Sequence, residues 1–176
     1  MKLLYILFSV TQMLQSQILF DVQSKTNMDN WKIVNDDVMG GRSKSNFQIN
    51  TEGYAEFSGI VSLENYGGFA SVRNRLYASN LNDKKYVVLH LKGDGKNYQF
   101  RLKHKKSDYH TYVYTFPTQG NWEEIKIPIN AMNPQFRGRQ LNMANFNHES
   151  IEEMAFLIAN KKNESFNLEI KTIEIK

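Results

Sequence analysis

The chain has 176 residues and a hydrophobic content of 41%, which is enough for one globular domain with its own core. Its net charge of +4 is too weak to indicate nucleic-acid binding by itself. The chain has no cysteine, which excludes disulfide scaffolds, thiolate metal sites and cysteine nucleophiles.

The N-terminus has the outline of a short secretory signal. Lys2 precedes an apolar run at residues 3–10, and polar residues follow. The run is too short to span a bilayer as a helix, so no transmembrane span is expected. We expect a signal peptide over residues 1–17, export to the periplasm or medium, and a single domain over residues 18–176. The alternative is that the run forms the first strand or helix of the domain in a cytoplasmic protein.

Alternation of apolar and polar residues at period two dominates the rest of the chain, with turn residues between the runs. Residues 97–103 alternate most cleanly, and the side chains of Tyr98, Phe100 and Leu102 should share one face of a strand. Residues 86–91 are apolar on both faces, which predicts a strand in the middle of a sheet.

Three further segments carry local signals. Residues 122–128 predict a strand that Pro128 ends. The turn Gly93-Asp-Gly95 predicts a hairpin between its flanking strands. Residues 151–159 fit either a helix or a buried strand.

The C-terminal run changes the parity of its apolar side chains. One parity holds Phe166, Leu168 and Ile170, and the other holds Ile173 and Ile175. A β-bulge near Lys171-Thr172 would keep all five side chains inward. Many short strands with few helices predict an all-β sandwich or jelly roll.

Two segments share one design, in which an acidic residue and an asparagine precede a glycine pair and an arginine. The first holds Trp31, Asn35, Asp36, Asp37, Gly40-Gly41 and Arg42, and the second holds Glu64, Asn65, Gly67-Gly68 and Arg73. Buried acids normally find partners, so we expect internal pairing with Arg42 and Arg73. We expect one connected polar cluster near the strand ends, formed by Asp36, Asp37, Arg42, Glu64, Asn65 and Arg73. This cluster should order loops first and contact a ligand second.

A basic stripe follows the cleanest strand and consists of Arg101, Lys103, His104, Lys105 and Lys106. It is either an ordinary solvated strand face or a surface for acidic partners, polyanions or lipid head groups. No known nucleic-acid motif accompanies it, so we expect no nucleic-acid partner.

The same motifs resemble a known family, complex I intermediate-associated protein 30. The matching blocks are Trp31 with the run from Asn35 to Ser43, Phe57-Ser-Gly59, the run from Val61 to Asn65, the run from Gly67 to Arg73, the run from Leu91 to Gly95, Tyr98, Phe100-Arg101, Trp122, Ile127-Pro128, Phe136-Arg-Gly138 and the run from Phe166 to Ile170. Their order and spacing cover about residues 18 to 175. The chain is similar to a short, bacterial, single-domain member.

The resemblance implies a galactose-binding-domain-like β-sandwich without established catalytic residues. Mitochondrial members of the family help to assemble the membrane arm of NADH:ubiquinone oxidoreductase, complex I, and behave as chaperone-like binding proteins. The resemblance therefore implies a protein partner and a respiratory-assembly role.

Family analogy also raises an oxygen-ligand calcium site at Asp36, Asp37, Glu64 and Asn65. No run has the spacing of an EF-hand, so we expect internal pairing of these side chains instead, with no metal and no cofactor. The glycine pairs lack Walker or dinucleotide spacing, which favours turns or close strand packing over a phosphate cradle. The four histidines form no metal-binding pair, and a Gly-x-Ser-x-Gly elbow is absent, so we expect no enzyme.

The leading hypothesis is thus a non-enzymatic binding module for a protein partner. The alternative is a carbohydrate-binding jelly roll that acts outside the cytoplasm, because the aromatic content of 12% could supply an exposed platform for sugar rings. An exposed aromatic platform in the structure would favour this alternative. A deep pocket that holds carboxylates, or histidines with shifted pKa values, would instead favour an enzyme.

Overall fold

The computed structural model describes residues 16–24, 28–81 and 83–176. The apolar run expected to be a signal lies outside these residues. The described part contains thirteen strands: β1 Gln17–Asp21, β2 Trp31–Ile33, β3 Lys44–Ile49, β4 Ala55–Val61, β5 Ala70–Ser79, β6 Tyr86–Lys92, β7 Asn97–Lys103, β8 Thr111–Pro117, β9 Trp122–Pro128, β10 Asn133–Phe136, β11 Arg139–Gln140, β12 Ser150–Ile158 and β13 Glu164–Ile175.

The strands form two antiparallel sheets. Sheet A has the order β3-β4-β13-β6-β9, and β1 also pairs with the end of β13. Sheet B has the order β11-β10-β8-β7-β12-β5-β2. The predicted all-β fold, a galactose-binding-domain-like sandwich or jelly roll, is confirmed.

Alternation along the strands builds one core from both sheets. Tyr98, Phe100 and Leu102 of β7 are fully buried, as their shared parity predicts, and they belong to the same cluster as Leu89 of β6 and Ile170 of β13. The strand predicted to be central is flanked by β13 and β9. The strand predicted at residues 122–128 is β9.

The long C-terminal strand contains the predicted bulge. The register of β13 against β6 shifts between Ile170 and Thr172, and the five apolar side chains on either side of the shift are all buried. The ambiguous segment before it is β12, which pairs with β5 and β7 in the middle of sheet B. Burial on both faces explains why its apolar run gave no strand periodicity.

Helical structure in the described residues is limited to the 3-10 turns Asp36–Met39, Glu64–Tyr66 and Ile129–Ala131. Nowhere in this described part is a helix both long and apolar enough to cross a membrane.

The hairpin predicted at Gly93-Asp-Gly95 is wrong, because β6 belongs to sheet A and β7 to sheet B. The turn is instead a corner at which the chain crosses between the sheets. A Cβ atom on Gly93 would lie 2.3 Å from Oγ1 of Thr118, so the corner needs glycine for close approach rather than for a hairpin turn.

The carboxylate of Asp94 fastens this corner. Its Oδ1 accepts a hydrogen bond from the Tyr98 hydroxyl at 2.9 Å, and its Oδ2 accepts one from the backbone N–H of Asn167 at 2.9 Å. Lys96 Nζ donates to the same Oδ2 at 2.6 Å. One side chain therefore joins β7 of sheet B to β13 of sheet A. Burial and the nearby Asp94 carboxylate both raise the pKa of Tyr98, so its hydroxyl stays a proton donor.

We predict that Asp94→Ala lowers the free energy of unfolding by about 1–3 kcal/mol, because it leaves the backbone N–H of Asn167 without its acceptor and removes one of the two acceptors near the Tyr98 hydroxyl. Urea denaturation followed by tryptophan fluorescence measures the loss. The control is Glu52→Ala at an exposed turn, where a change within about 0.5 kcal/mol is expected. Equal stabilities of the two variants would contradict the role assigned to Asp94.

Candidate ligand-binding groove

The carboxylate of Asp36 is completely buried and fully engaged. Its Oδ1 accepts from the backbone N–H of Ser43 at 2.9 Å, and its Oδ2 accepts from the Ser43 hydroxyl at 2.5 Å. The same Oδ2 accepts from the backbone N–H groups of Gly68 at 2.6 Å and Phe69 at 3.1 Å. Asp36 follows β2 of sheet B, whereas Ser43 precedes β3 of sheet A. The side chain therefore ties one end of the sandwich together.

Both glycine pairs pack against this carboxylate. A Cβ atom on Gly41 would lie 2.4 Å from Cγ of Asp36, and one on Gly67 would lie 2.7 Å from its Oδ2. Gly40 ends the 3-10 turn in the left-handed conformation, with φ of 91°. The close packing expected of the glycine pairs is therefore observed around a side-chain anion of the protein itself.

The donors outweigh burial in setting the charge of Asp36. Burial is the largest single influence and would raise the pKa of its carboxyl group. The hydrogen bonds from Ser43, Gly68 and Phe69 together lower that pKa below its ordinary value of 3.8. Asp36 is thus an anion that holds loops, and its complete burial keeps it from touching a ligand.

Asn35 makes a second link of the same kind. Its Oδ1 accepts from the hydroxyl of Ser45 on β3 at 2.8 Å and from the backbone N–H of Ser71 on β5 at 3.2 Å. Asn35 and Asp36, adjacent in the chain, thus each bridge the two sheets.

The other predicted cluster members are not part of this network. Arg42 and Glu64 form an ion pair at 2.7 Å, but their side chains are 65% and 62% exposed. Asp37 and Asn65 are also exposed, and Asn65 has a left-handed φ of 55°. Among the described residues no ion pair joins Asp36 to an arginine, so the expected pairing holds for Glu64 alone.

Trp31 lies in the core and is only 8% exposed. Its ring contacts Phe20 edge-on at a centroid distance of 5.4 Å, Phe47 at 4.8 Å and Phe156 at 6.3 Å. This placement leaves the ring no free face for a ligand and gives it a packing role instead.

We predict that Asp36→Asn lowers the free energy of unfolding by about 3 kcal/mol, because the amide loses the charge that balances four donors. The matched control is Asp37→Asn, an exposed neighbour expected to change stability by about 0.5 kcal/mol or less. Thermal and urea unfolding of the two variants measure the difference.

The pH dependence gives a second readout of the same variant. Because folding lowers the pKa of Asp36, the ionised carboxylate contributes stability above pH 3.8, and this contribution is lost as the pH falls through the folded-state value. The gap between wild type and Asp36→Asn should therefore close below about pH 3.8. A gap that stays constant down to pH 2 would contradict this assignment.

A groove of about 650 Å³ crosses the outer face of sheet B next to the Asp36 network. Its floor is formed by Arg73 of β5, Leu157 of β12, Gln99, Arg101 and Lys103 of β7, and Thr111 of β8. Its volume lies within the range of ordinary ligand sites.

The Asp36 network builds one wall of the groove. Val38 and Met39, on the 3-10 turn that Asp36 begins, line this wall, together with Gly68 and Phe69, whose N–H groups Asp36 holds. Val38 and Met39 are exposed to solvent there. Substitutions at Asp36 should therefore change the shape of the groove by displacing this wall.

The opposite wall presents aromatic rings. Tyr109 is 62% exposed and Phe136 is 39% exposed, and their rings meet edge-to-face at a centroid distance of 5.4 Å. Arg137 lies over the Phe136 ring at 5.2 Å, and Gln135 of β10 adds an amide to the lining. The groove thus combines two partly exposed rings with planar hydrogen-bonding groups.

Arg73 and Arg101 give the floor its charge. Arg101 Nη2 donates to Oε1 of Gln99 at 2.7 Å, and its Nε donates to the same oxygen at 3.1 Å, which fixes the guanidinium. Burial and the charge of Arg73 lower the pKa of Arg101 to about 10, so it remains a cation at neutral pH. Arg73 was predicted to pair with the acids of the two motifs. It lies instead beside another arginine.

Sequence patterns identified part of this groove. Arg73 belongs to the second motif of the sequence analysis, and Arg101 and Lys103 belong to its basic stripe. Arg137 and Lys161 were missed because they lie in distant turns with left-handed φ values of 48° and 59°, where no local pattern connects them to β7. Residue type alone does not reveal that an arginine or a lysine has a left-handed backbone conformation.

A second cavity of about 340 Å³ lies beside the histidines. His148 is among the residues that line it, and none of the lining residues within the described ranges is a carboxylate. The Tyr112 hydroxyl and His148 Nε2 lie 2.8 Å apart, and the His148 ring stacks on His104 at 4.2 Å. Burial, followed by the neighbouring His104 charge, lowers the pKa of His148.

Within the described ranges no group of three or more His, Asp or Glu side chains is arranged to hold a metal ion.

The chain matches one protein family over most of its length. The family model described as Complex I intermediate-associated protein 30 (CIA30) matches residues 20–170.

Solved structures share the fold. The family 11 carbohydrate-binding module of the cellulosomal cellulase Lic26A-Cel5E of Clostridium thermocellum has a TM-score of 0.68 at 17% identity, over 92% of this chain and 94% of that chain. The same family's module from Clostridium thermocellum in complex with a β-1,3-1,4-mixed-linked tetrasaccharide has a TM-score of 0.64 at 16% identity, over 91% and 94%. The agarase AgWH50C has a TM-score of 0.55 at 11% identity, over 92% of this chain and 24% of that chain. At these identities the likeness is one of fold.

Proposed function

The chain belongs to the complex I intermediate-associated protein 30 family, and from this premise we propose that it is a non-enzymatic module that binds an elongated saccharide in the groove on sheet B. The observation that carries the proposal is the pair of exposed rings, Tyr109 and Phe136, in a groove whose lining also includes the amides of Gln99 and Gln135. Ring faces stack on the apolar faces of sugars, while planar polar side chains bond to hydroxyl groups.

The shape of the groove supports a chain-like ligand. The lining runs from β5 across β12, β7 and β8 to β10, which is four strand spacings or roughly 19 Å. Such a span suits several linked sugar units better than a single small molecule. The similar folds named as carbohydrate-binding modules add support from a second direction.

The chemistry of the lining supports a binding role rather than a catalytic one. None of the described residues that line the groove is a carboxylate, so this part of the lining offers no pair of acid and base carboxyl groups of the kind that glycosidases use. The histidine with a lowered pKa belongs to the other cavity, where its Nε2 lies within hydrogen-bonding distance of a tyrosine.

We predict that Tyr109→Ala weakens saccharide binding about tenfold, since loss of one stacking ring removes about 1–1.5 kcal/mol. A panel of neutral and acidic oligosaccharides screened by calorimetry measures this. The matched control is Tyr77→Ala, which removes an equally exposed tyrosine from outside the groove and should leave affinity unchanged. The proposal would be overturned if no saccharide binds, or if Tyr109→Ala leaves the affinity unchanged.

A second candidate function is the chaperone-like binding of a protein, which the family description suggests through assembly of complex I. One structural observation favours it. Val38, Met39 and Leu63 are large apolar side chains that stay exposed along one wall of the groove, and such patches often mark protein contacts.

If a protein is the ligand, Met39→Glu should abolish its co-fractionation with respiratory-complex intermediates, because a buried unpaired charge is costly in an apolar contact. The control is Ile60→Glu on β4 of sheet A, an equally exposed apolar residue outside the groove. Co-fractionation that survives Met39→Glu, or is never observed in the wild type, would remove this candidate.

A further inference from the structure

Among the described residues, the lining of the groove has five cationic side chains and no anionic one. The cations are Arg73, Arg101, Lys103, Arg137 and Lys161. None of them belongs to any of the ion pairs found in the described part of the chain, which all lie elsewhere. The whole chain carries 22 basic and 18 acidic residues, so five unbalanced cations in one groove are a local excess.

Strand register places the two arginines as neighbours. Ala155 of β12 lies opposite Arg73 of β5 on one side and opposite Arg101 of β7 on the other. The small side chain of Ala155 lets the two guanidinium groups share the floor of the groove. Their backbones lie two strand spacings apart, which is roughly 10 Å.

This arrangement is unfavourable for stability in the free protein. Two like charges on a partly buried floor repel each other, and the pKa of Arg101 is lowered by its burial and by Arg73. Glu153 lies on the same face of β12, in register with Lys103 and Arg75, yet it forms no ion pair within the described residues. Arg73 and Arg101 therefore have no ion-pair partner among the described residues, whereas Lys103 Nζ donates to the backbone carbonyl of Asp108 at 2.6 Å.

We propose that the ligand of this groove is an anionic saccharide, whose carboxylate or sulfate groups are bound by Arg73 and Arg101 on the floor and by Arg137 and Lys161 at the rim. The proposal rests on the saccharide-binding function proposed above and names the class of saccharide. Guanidinium groups bind carboxylate and sulfate oxygens through paired N–H donors, and Gln99 already holds Arg101 in one orientation.

The same groove favours a saccharide over an acidic peptide. A peptide strand is bound most strongly by a free sheet edge, whereas the floor here is formed by β5, β12, β7 and β8, which pair on both sides. The exposed rings of Tyr109 and Phe136 offer stacking faces to sugars instead.

The test uses the full chain and five probes: hexagalacturonate, its methyl ester, a sulfated galactan hexasaccharide, a neutral mixed-linked β-glucan hexasaccharide and hexaglutamate. We expect binding to the uronate or to the sulfated oligosaccharide, with at least tenfold weaker binding to the methyl ester and to hexaglutamate. Binding should also weaken as salt is raised, because exposed charges are screened.

The variants are Arg101→Gln on the floor and Arg137→Gln on the exposed rim, where a change cannot disturb the core. Each should weaken binding of the anionic probe about tenfold. The matched control is Lys44→Gln, which removes the same charge from an exposed position on β3 and should change affinity less than twofold. Unfolding curves for all three establish that they are folded.

The outcomes separate the two proposals. Comparison of the uronate with the sulfated galactan shows whether the groove binds carboxylate or sulfate groups. Equal binding of the methyl ester, or binding of the neutral glucan alone, would overturn the anionic assignment and leave saccharide binding in place. Equal binding of hexaglutamate would show attraction by charge alone and overturn the saccharide class. Absence of binding to all five probes would overturn both proposals.

Discussion

One buried carboxylate organises the end of the sandwich at which the groove lies. Asp36 is completely buried, and a charge in that position is tolerated only because four donors converge on it. Those donors come from two separate loops, and both loops approach closely enough only because Gly41 and Gly67 lack side chains. The two glycine-containing motifs are therefore two halves of one structure, which also joins sheet A to sheet B.

In these motifs, buried residues that hold loops are direct neighbours of exposed residues that line the groove. Asp36 and Asn35 are buried and hold loops, whereas Val38 and Met39 on the same turn are exposed and line the groove. Arg73 follows the second glycine pair into β5 and reaches the floor of the groove. A ligand in the groove would thus contact residues whose positions depend on a carboxylate that it never touches. The run from Asn35 to Met39 thus combines buried residues that hold loops with exposed residues that line the groove.

The fold could be predicted well wherever one face of a strand is buried and the other is exposed to solvent. The alternation in β7 and the parity change in β13 gave correct orientations, including the bulge, because the pleat converts sequence parity directly into burial. The corner at Asp94 was predicted wrongly as a hairpin, since glycine and aspartate suit any tight change of direction. Only the pairing of β6 with β13, and of β7 with β12, shows that the two strands belong to different sheets.

The sequence by itself determined the fold class, the family and the polar motifs, because these depend on residue order and on local periodicity. The tertiary structure alone decided the partners: Asp36 is held by Ser43 and backbone N–H groups rather than by an arginine, and Arg73 lies beside Arg101. It alone brought Arg137 and Lys161 to the same groove. Such contacts arise from strand order and register across two sheets, and residues far apart in the chain carry no local pattern that encodes them.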